Sequence, residues 1–134
     1  MGGHQGHAMK IRLRYGLPFV SATLHYRSQR VTLKNILLDT GSAGSIFSAD
    51  KVLPIGLTYE PEDMVHRIRG VGGSEFVFTK HVDRLRVGDL SVASFEIEIG
   101  AMDYGFNIDG IIGMDFLTNV GAMLDLNKME IFVS

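Results

Sequence analysis

The stretch Ile36-Leu37-Leu38-Asp39-Thr40-Gly41-Ser42 decides how the rest of the chain is read. Three apolar residues run into an aspartate, and the aspartate runs into a glycine-containing turn. Uniform apolarity over Ile36-Leu37-Leu38 predicts a strand covered on both faces. That strand carries the Asp39 carboxylate from an apolar interior to a tight loop. A carboxylate withdrawn from water is unfavourable unless it is paired, hydrogen-bonded or protonated. Asp-Thr-Gly alone carries little weight, because an aspartate at such a turn commonly hydrogen-bonds its own loop. The segments on either side must decide.

Upstream, Met9, Ile11, Leu13 and Tyr15 alternate with Lys10, Arg12 and Arg14, which predicts a half-buried strand interrupted at Gly16-Leu17-Pro18. Phe19 to Tyr26 predicts a second strand, Arg27-Ser28-Gln29-Arg30 a polar turn, and Val31 to Leu38 a third strand. Downstream, Ser45-Ile46-Phe47 resumes a short apolar strand, and Ser48 is placed to cap a helical turn that Pro54 limits. Val65 to Arg69 and Phe76 to Lys80 form two arms around Gly70-Val71-Gly72-Gly73-Ser74. Glycines at such a tip supply positive φ and let backbone approach a ligand. A phosphate-cradling role would need a helix after the glycines, whereas Ser74-Glu75-Phe76-Val77-Phe78 reads as strand. Val82 to Val87 ends in the turn signal Gly88-Asp89, and Phe95, Ile97 and Ile99 alternate with Glu96 and Glu98 to give one wet face. After a loop from Gly100 to Gly110, Ile111-Ile112-Gly113 leads into one short helix near Asp115-Phe116-Leu117, and a hairpin about Asn127-Lys128 closes the chain. Many short strands, regular turns and little helix predict an all-β barrel or sandwich.

The chain has 134 residues, 46% of them hydrophobic, enough for one domain with its own core over 9–134. Residues 1–8 lack periodicity and read as a leader or expression remnant. The absence of cysteine excludes disulfides, thiolate metal sites and a cysteine nucleophile, and fits a reducing, cytoplasmic setting. A net charge of −2 without a basic run speaks against nucleic acid as a partner. No run is apolar and long enough to span a bilayer, although a domain of a membrane-anchored protein would read the same way. His25, His66 and His81 lack metal-ligand spacing, so neither metal nor cofactor is expected.

An apolar strand ending in Asp39-Thr40-Gly41-Ser42, then a glycine-tipped hairpin, then Gly110-Ile111-Ile112-Gly113-Met114-Asp115-Phe116-Leu117 resembles the retropepsin-like aspartic proteases, most of all their stand-alone bacterial members. The resemblance implies a closed all-β acid-protease barrel that forms a two-fold homodimer and acts as an endopeptidase on extended peptide segments. It implies that Asp39 is catalytic and that Thr40 grips the partner's loop. Gly41 lets backbone pack against the carboxylate, and Ser42 supports it. Arg69, Gly70, Val71, Gly72 and Gly73 form a flap over substrate, and Ile111, Ile112 and Gly113 pack as a second motif beneath the active loop.

Elementary chemistry agrees on symmetry. Hydrolysis by carboxylates needs one acid and one base, and the chain holds one copy of the motif. A two-fold axis beside Asp39 would bring two carboxyls together to share a proton, the behaviour for which the aspartic-protease dyad is itself the pattern case. Two departures from the family stand out. Viral members carry Ala where this chain has Ser42, and a hydroxyl donating to the carboxylate would favour acid-side activity. The viral acidic residue and its arginine partner are replaced by Ala43-Gly44 and Met114-Asp115. Apolar walls predict an apolar preference beside the cut bond. The rival reading is a non-catalytic dimeric module that binds peptides on the same fold.

Overall fold

Residues Leu17–Tyr26 and Gln29–Leu38 are both ten residues long and pair antiparallel as the longest local hairpin of the first half. They belong to a computed structural model that describes residues 8–70, 73–102 and 107–133, with backbone alone for 68–70 and 73–75. In chain order the strands are β1 (Met9–Lys10), β2 (Arg12–Arg14), β3 (Leu17–Tyr26), β4 (Gln29–Leu38), β5 (Ile46–Ser48), β6 (Val65–Gly70), β7 (Gly73–Val87), β8 (Leu90–Gly100), β9 (Gly110–Ile112), β10 (Met123–Asp125) and β11 (Glu130–Phe132). Two helices, α1 (Ala49–Val52) and α2 (Met114–Val120), and a 3-10 turn at Leu53–Ile55 complete the described residues. The chain is therefore mostly β with little helix, as the turn spacing predicts. No helix among the described residues is long and apolar enough to cross a membrane.

The larger sheet runs β2-β3-β4-β9-β5-β8-β7-β6, and β3 also pairs with β7, so the sheet returns on itself. Its interior holds Phe19, Val20, Leu24, Ile36, Phe47, Leu85, Ile97, Ile99, Ile112 and Phe116, none more than 1% exposed. The smaller sheet runs β1-β11-β10.

The sequence expectation fails at the N-terminal strand. Ile11 is buried, but Leu13 is 63% and Tyr15 68% exposed. Tyr15 and Gly16 both take positive φ (56° and 72°), so they form a two-residue turn between β2 and β3. The apolar alternation is also split at Ile11, between Lys10 of β1 in one sheet and Arg12 of β2 in the other. Leu17-Pro18, expected as an interruption, opens β3. Arg27 and Ser28 make a similar turn with φ of 48° and 68°, without the usual glycine. Two contacts hold Arg27 there: its N–H donates to Asp83 Oδ2 at 2.8 Å, and its guanidinium lies 4.8 Å from the Tyr26 ring centroid. The segments expected as Phe76–Lys80 and Val82–Val87 fuse into the 15-residue β7. The hairpin that precedes them pairs out to Gly70↔Gly73, while Val71 and Gly72 lie outside the described residues.

Candidate active site

Asp39 stands one residue beyond the end of β4, which pairs parallel to β9 through Ile36↔Gly110, Leu37↔Ile111 and Leu38↔Ile112. Strand β5 then folds back antiparallel to β9 through Ile46↔Ile111. The loop between β4 and β5 therefore leaves one flank of β9 and returns on the other. The Asp39 N–H donates to the Ile112 carbonyl at 2.9 Å, extending the parallel ladder by one step and fixing the backbone that carries the carboxyl. The Gly41 N–H donates to Asp39 Oδ1 at 2.9 Å, and the Ser42 N–H donates to the Asp39 carbonyl at 3.1 Å. A Cβ on Gly41 would stand 3.2 Å from Asp39 Oδ1, so the glycine keeps that approach free.

The Asp39 carboxyl is half-buried and Thr40 is exposed. Ser42 departs from expectation. Its hydroxyl donates to the Gly44 carbonyl at 2.8 Å and closes the loop on itself; it does not donate to Asp39. The physical basis for an acid-shifted optimum through Ser42 is therefore missing.

Beneath the loop, Gly113 is fitted to backbone. A Cβ there would lie 2.3 Å from the Gly44 carbonyl oxygen and 2.7 Å from that of Ser42. The first turn of α2 donates to the same loop, Met114 N–H to the Ser42 carbonyl at 2.8 Å and Asp115 N–H to the Ala43 carbonyl at 3.1 Å. Thus Ile111, Ile112 and Gly113 do lie under Asp39, with Ile112 fully buried and Ile111 half-buried.

Ser45 was not singled out from the sequence, yet it joins the two motifs. It is fully buried, its hydroxyl donates to Asp115 Oδ1 at 2.8 Å, and its N–H donates to Asp115 Oδ2 at 3.1 Å. The Gly113 N–H in turn donates to Ser45 Oγ at 3.0 Å. Asp115 also accepts from Phe116 N–H at 2.7 Å, so its carboxylate organises the loop as well as the helix start. The available signal was a small polar residue directly before the buried pair Ile46-Phe47. Asp109 is a second such brace. It is 5% exposed, accepts from Asn35 N–H at 3.2 Å, and lies 3.8 Å from Lys51 Nζ.

The β6–β7 hairpin is anchored through charge. Lys80 of β7 is 6% exposed, and its ammonium contacts Glu60 and, at 2.9 Å, Asp63, both in the loop before β6. Burial pushes the Asp63 carboxyl up, but hydrogen bonds from Lys80 and the Glu60 backbone, with the nearby charges of Lys80 and Arg27, outweigh it. They hold the group below the usual carboxylate range. Burial likewise pushes Lys80 down, and its bonds to Glu60 and Asp63 carry it above the ordinary ammonium value. The backbone of Arg69, Gly70 and Gly73 lies at the far end of this hairpin. His66 of β6 contacts Glu98 of β8.

Two clefts among the described residues, one near His25 and Arg30 and one near Lys80 and Glu96, are not lined by Asp39. Asp39 is half-buried, with its supports below. No grouping of His, Asp and Glu suited to a metal occurs among the described residues. A search of curated proteins returns no match. A family model described as aspartyl protease matches residues 22–116, from β3 through Asp39 to α2 and more than half of the chain, and the chain belongs to that family.

Proposed function

We propose that the protein is a retropepsin-like aspartic endopeptidase that works as a homodimer, with its active site on the two-fold axis. The observation that carries this reading is the Asp39 loop. A carboxyl is held by Gly41 N–H over a floor made by Ile112 and Gly113, and the chain has one such motif where the reaction needs two carboxyls. The return of the sheet through β3 and β7 supports the barrel expected of the family. Exposed Met123, Leu124, Leu126 and Val133 around the terminal sheet support contact with a second copy.

In the dimer, two Asp39 carboxyls share one proton. The ionised member accepts a proton from a water held between them as the water oxygen attacks the scissile carbon. The protonated member donates to the carbonyl oxygen. The tetrahedral intermediate collapses as the C–N bond breaks and the leaving nitrogen takes up a proton, with no covalent enzyme adduct. The hairpin Val65–Gly70 and Gly73–Val87 covers the peptide and excludes water. Thr40 ties the two loops together across the axis.

The test is cleavage of a peptide library by wild type and Asp39→Asn across pH, with pepstatin-type inhibition alongside. Wild type cuts, and Asp39→Asn loses on the order of 10³-fold or more in kcat/KM. A dimeric wild type that binds peptides and cleaves none at any pH overturns the protease reading in favour of a binding module.

A further inference from the structure

Alternation along β8 puts Glu96 and Glu98 on one face, yet the two carboxylates differ. The Glu96 side chain is 63% exposed and that of Glu98 only 26%. In-register pairing explains the difference. Leu37 pairs with Ile111, Ile111 with Ile46, Ile46 with Glu98, and Glu98 with Thr79. Residues in register on neighbouring strands share a sheet face. One row therefore crosses β4, β9, β5, β8 and β7 as Leu, Ile, Ile, Glu, Thr. Leu37 lies two positions before Asp39, so the row occupies the face toward which Asp39 projects. Three apolar residues of this wall match the expected apolar cleft, and Glu98 interrupts it.

The Glu98 carboxylate sits between the β6–β7 hairpin and the loop that begins at Asp39. Its Oε2 meets His66 Nε2 on the first strand of the flap hairpin. Its Oε1 lies 3.4 Å from where a Cβ on Gly44 would stand, in the loop that begins at Asp39. The Glu98 N–H donates to the Ser45 carbonyl at 3.0 Å, which fixes the strand. Three other charged side chains of β6 and β7 are engaged elsewhere. His81 faces Glu96 at 3.8 Å, Arg67 lies over the Phe76 ring, and Lys80 is bound to Glu60 and Asp63. An imidazole N–H donating to the carboxylate would orient it. The His66 side chain is 45% exposed, so this partner of Glu98 lies at the solvent-facing edge.

We propose that Glu98, oriented by His66, is a specificity determinant that draws a lysine or arginine side chain of the peptide into the subsite between the flap hairpin and the Asp39 loop. The proposal rests on the protease reading for its substrate class. An apolar stem would lie along Ile46 and Ile111, and the cationic head would reach Glu98. Such a head brings a full positive charge to a carboxylate with restricted access to water, where pairing is stronger than at an open surface.

The test scans peptides in which one position flanking the cut bond is Lys, Arg, norleucine or Glu. Cleavage is measured with wild type, Glu98→Gln and Glu98→Lys, and binding of the same peptides to Asp39→Asn by fluorescence anisotropy. At one position wild type favours Lys or Arg over norleucine by about tenfold or more in kcat/KM. Glu98→Gln removes that ratio, and Glu98→Lys shifts the preference to Glu. A general loosening of the flap would slow all peptides together and leave the ratio unchanged. If wild type cleaves and the ratio is the same in Glu98→Gln, the inference falls and the protease reading stands. If nothing is cleaved but Asp39→Asn binds the Lys peptide in a Glu98-dependent way, the protease reading falls and the Glu98 site stands. If neither cleavage nor binding occurs, both fall.

Discussion

The Asp39 loop with its floor and the terminal sheet are built from the same kind of material, short apolar strands, and end in opposite states. Around Asp39, Ile36, Phe47 and Ile112 are 0% exposed, because β9 has β4 on one flank and β5 on the other, with α2 packed at its end. In the terminal sheet, β11 has two neighbours and buries Ile131 to 1% exposure, whereas β10 has β11 as its single partner among the described residues and leaves Met123 at 49% and Leu124 at 36%. Leu126, just past β10, is 69% exposed. Apolar sequence therefore does not determine burial; the number of flanking strands does. One region is completed by its own chain; among the described residues the other leaves an edge and a face that the proposed homodimer would cover.

The comparison breaks most sharply at Gly113. Gly113→Ala forces a Cβ into the Gly44 and Ser42 carbonyl oxygens, and neither backbone atom can move without opening the Asp39 loop. We expect a loss of roughly 3 kcal/mol or more in denaturant unfolding, with cleavage abolished in whatever protein still folds. A loss below about 1 kcal/mol would mean that the floor is softer than its contacts imply. At the terminal sheet the expectation is reversed. Leu124→Lys with Leu126→Lys leaves monomer stability nearly unchanged, within about 0.5 kcal/mol, but raises the dimer Kd by roughly 100-fold in sedimentation and makes activity fall on dilution. An unchanged Kd would remove this face from the interface.

Lys80→Met sharpens the contrast from a third side, since there a buried charge replaces apolar packing. Removing the cation leaves Asp63 and Glu60 without their partner and costs roughly 2–3 kcal/mol at neutral pH. The pH dependence follows from the two shifts. The lowered Asp63 contributes stability that is present above its ordinary pKa and is lost as pH falls through its folded value. The raised Lys80 contributes stability that is present below its ordinary pKa and is lost as pH rises through its folded value. The gap in Tm between wild type and Lys80→Met should therefore be widest between these limits and narrow at both ends. A gap that stays constant with pH would mean that Lys80 acts through packing alone.

What could be read from the sequence follows the same division. The β4 strand, the Asp39 turn, the paired arms of the flap and the order of the two motifs were all legible, because apolar period and turn chemistry are local. Ser45 was not, since its value lies in a partner 70 positions away, Asp115; Asp109 could be suspected from its place beside the second motif, but not its partner Asn35, 74 positions away. Leu13 and Tyr15 misled, because alternation registers neither the change of sheet at Ile11 nor the two-residue turn at Tyr15-Gly16. Ser42 misled for a different reason. The sequence supplied a hydroxyl near a carboxylate, and the loop offered that hydroxyl a nearer acceptor at Gly44.

The long reach of the Ser45–Asp115 and Asn35–Asp109 contacts also bears on when the site comes into being. Closing loops of about that length is entropically costly and characteristic of slow, late steps in folding. A growing chain that has already exposed Asp39 still lacks the floor under it until residues 109–116 emerge and dock. In the proposed homodimer, two such chains would then have to meet before a second carboxyl is available. A peptidase assembled in this order would spend its own synthesis without a working site, which protects it and its neighbours from premature cutting.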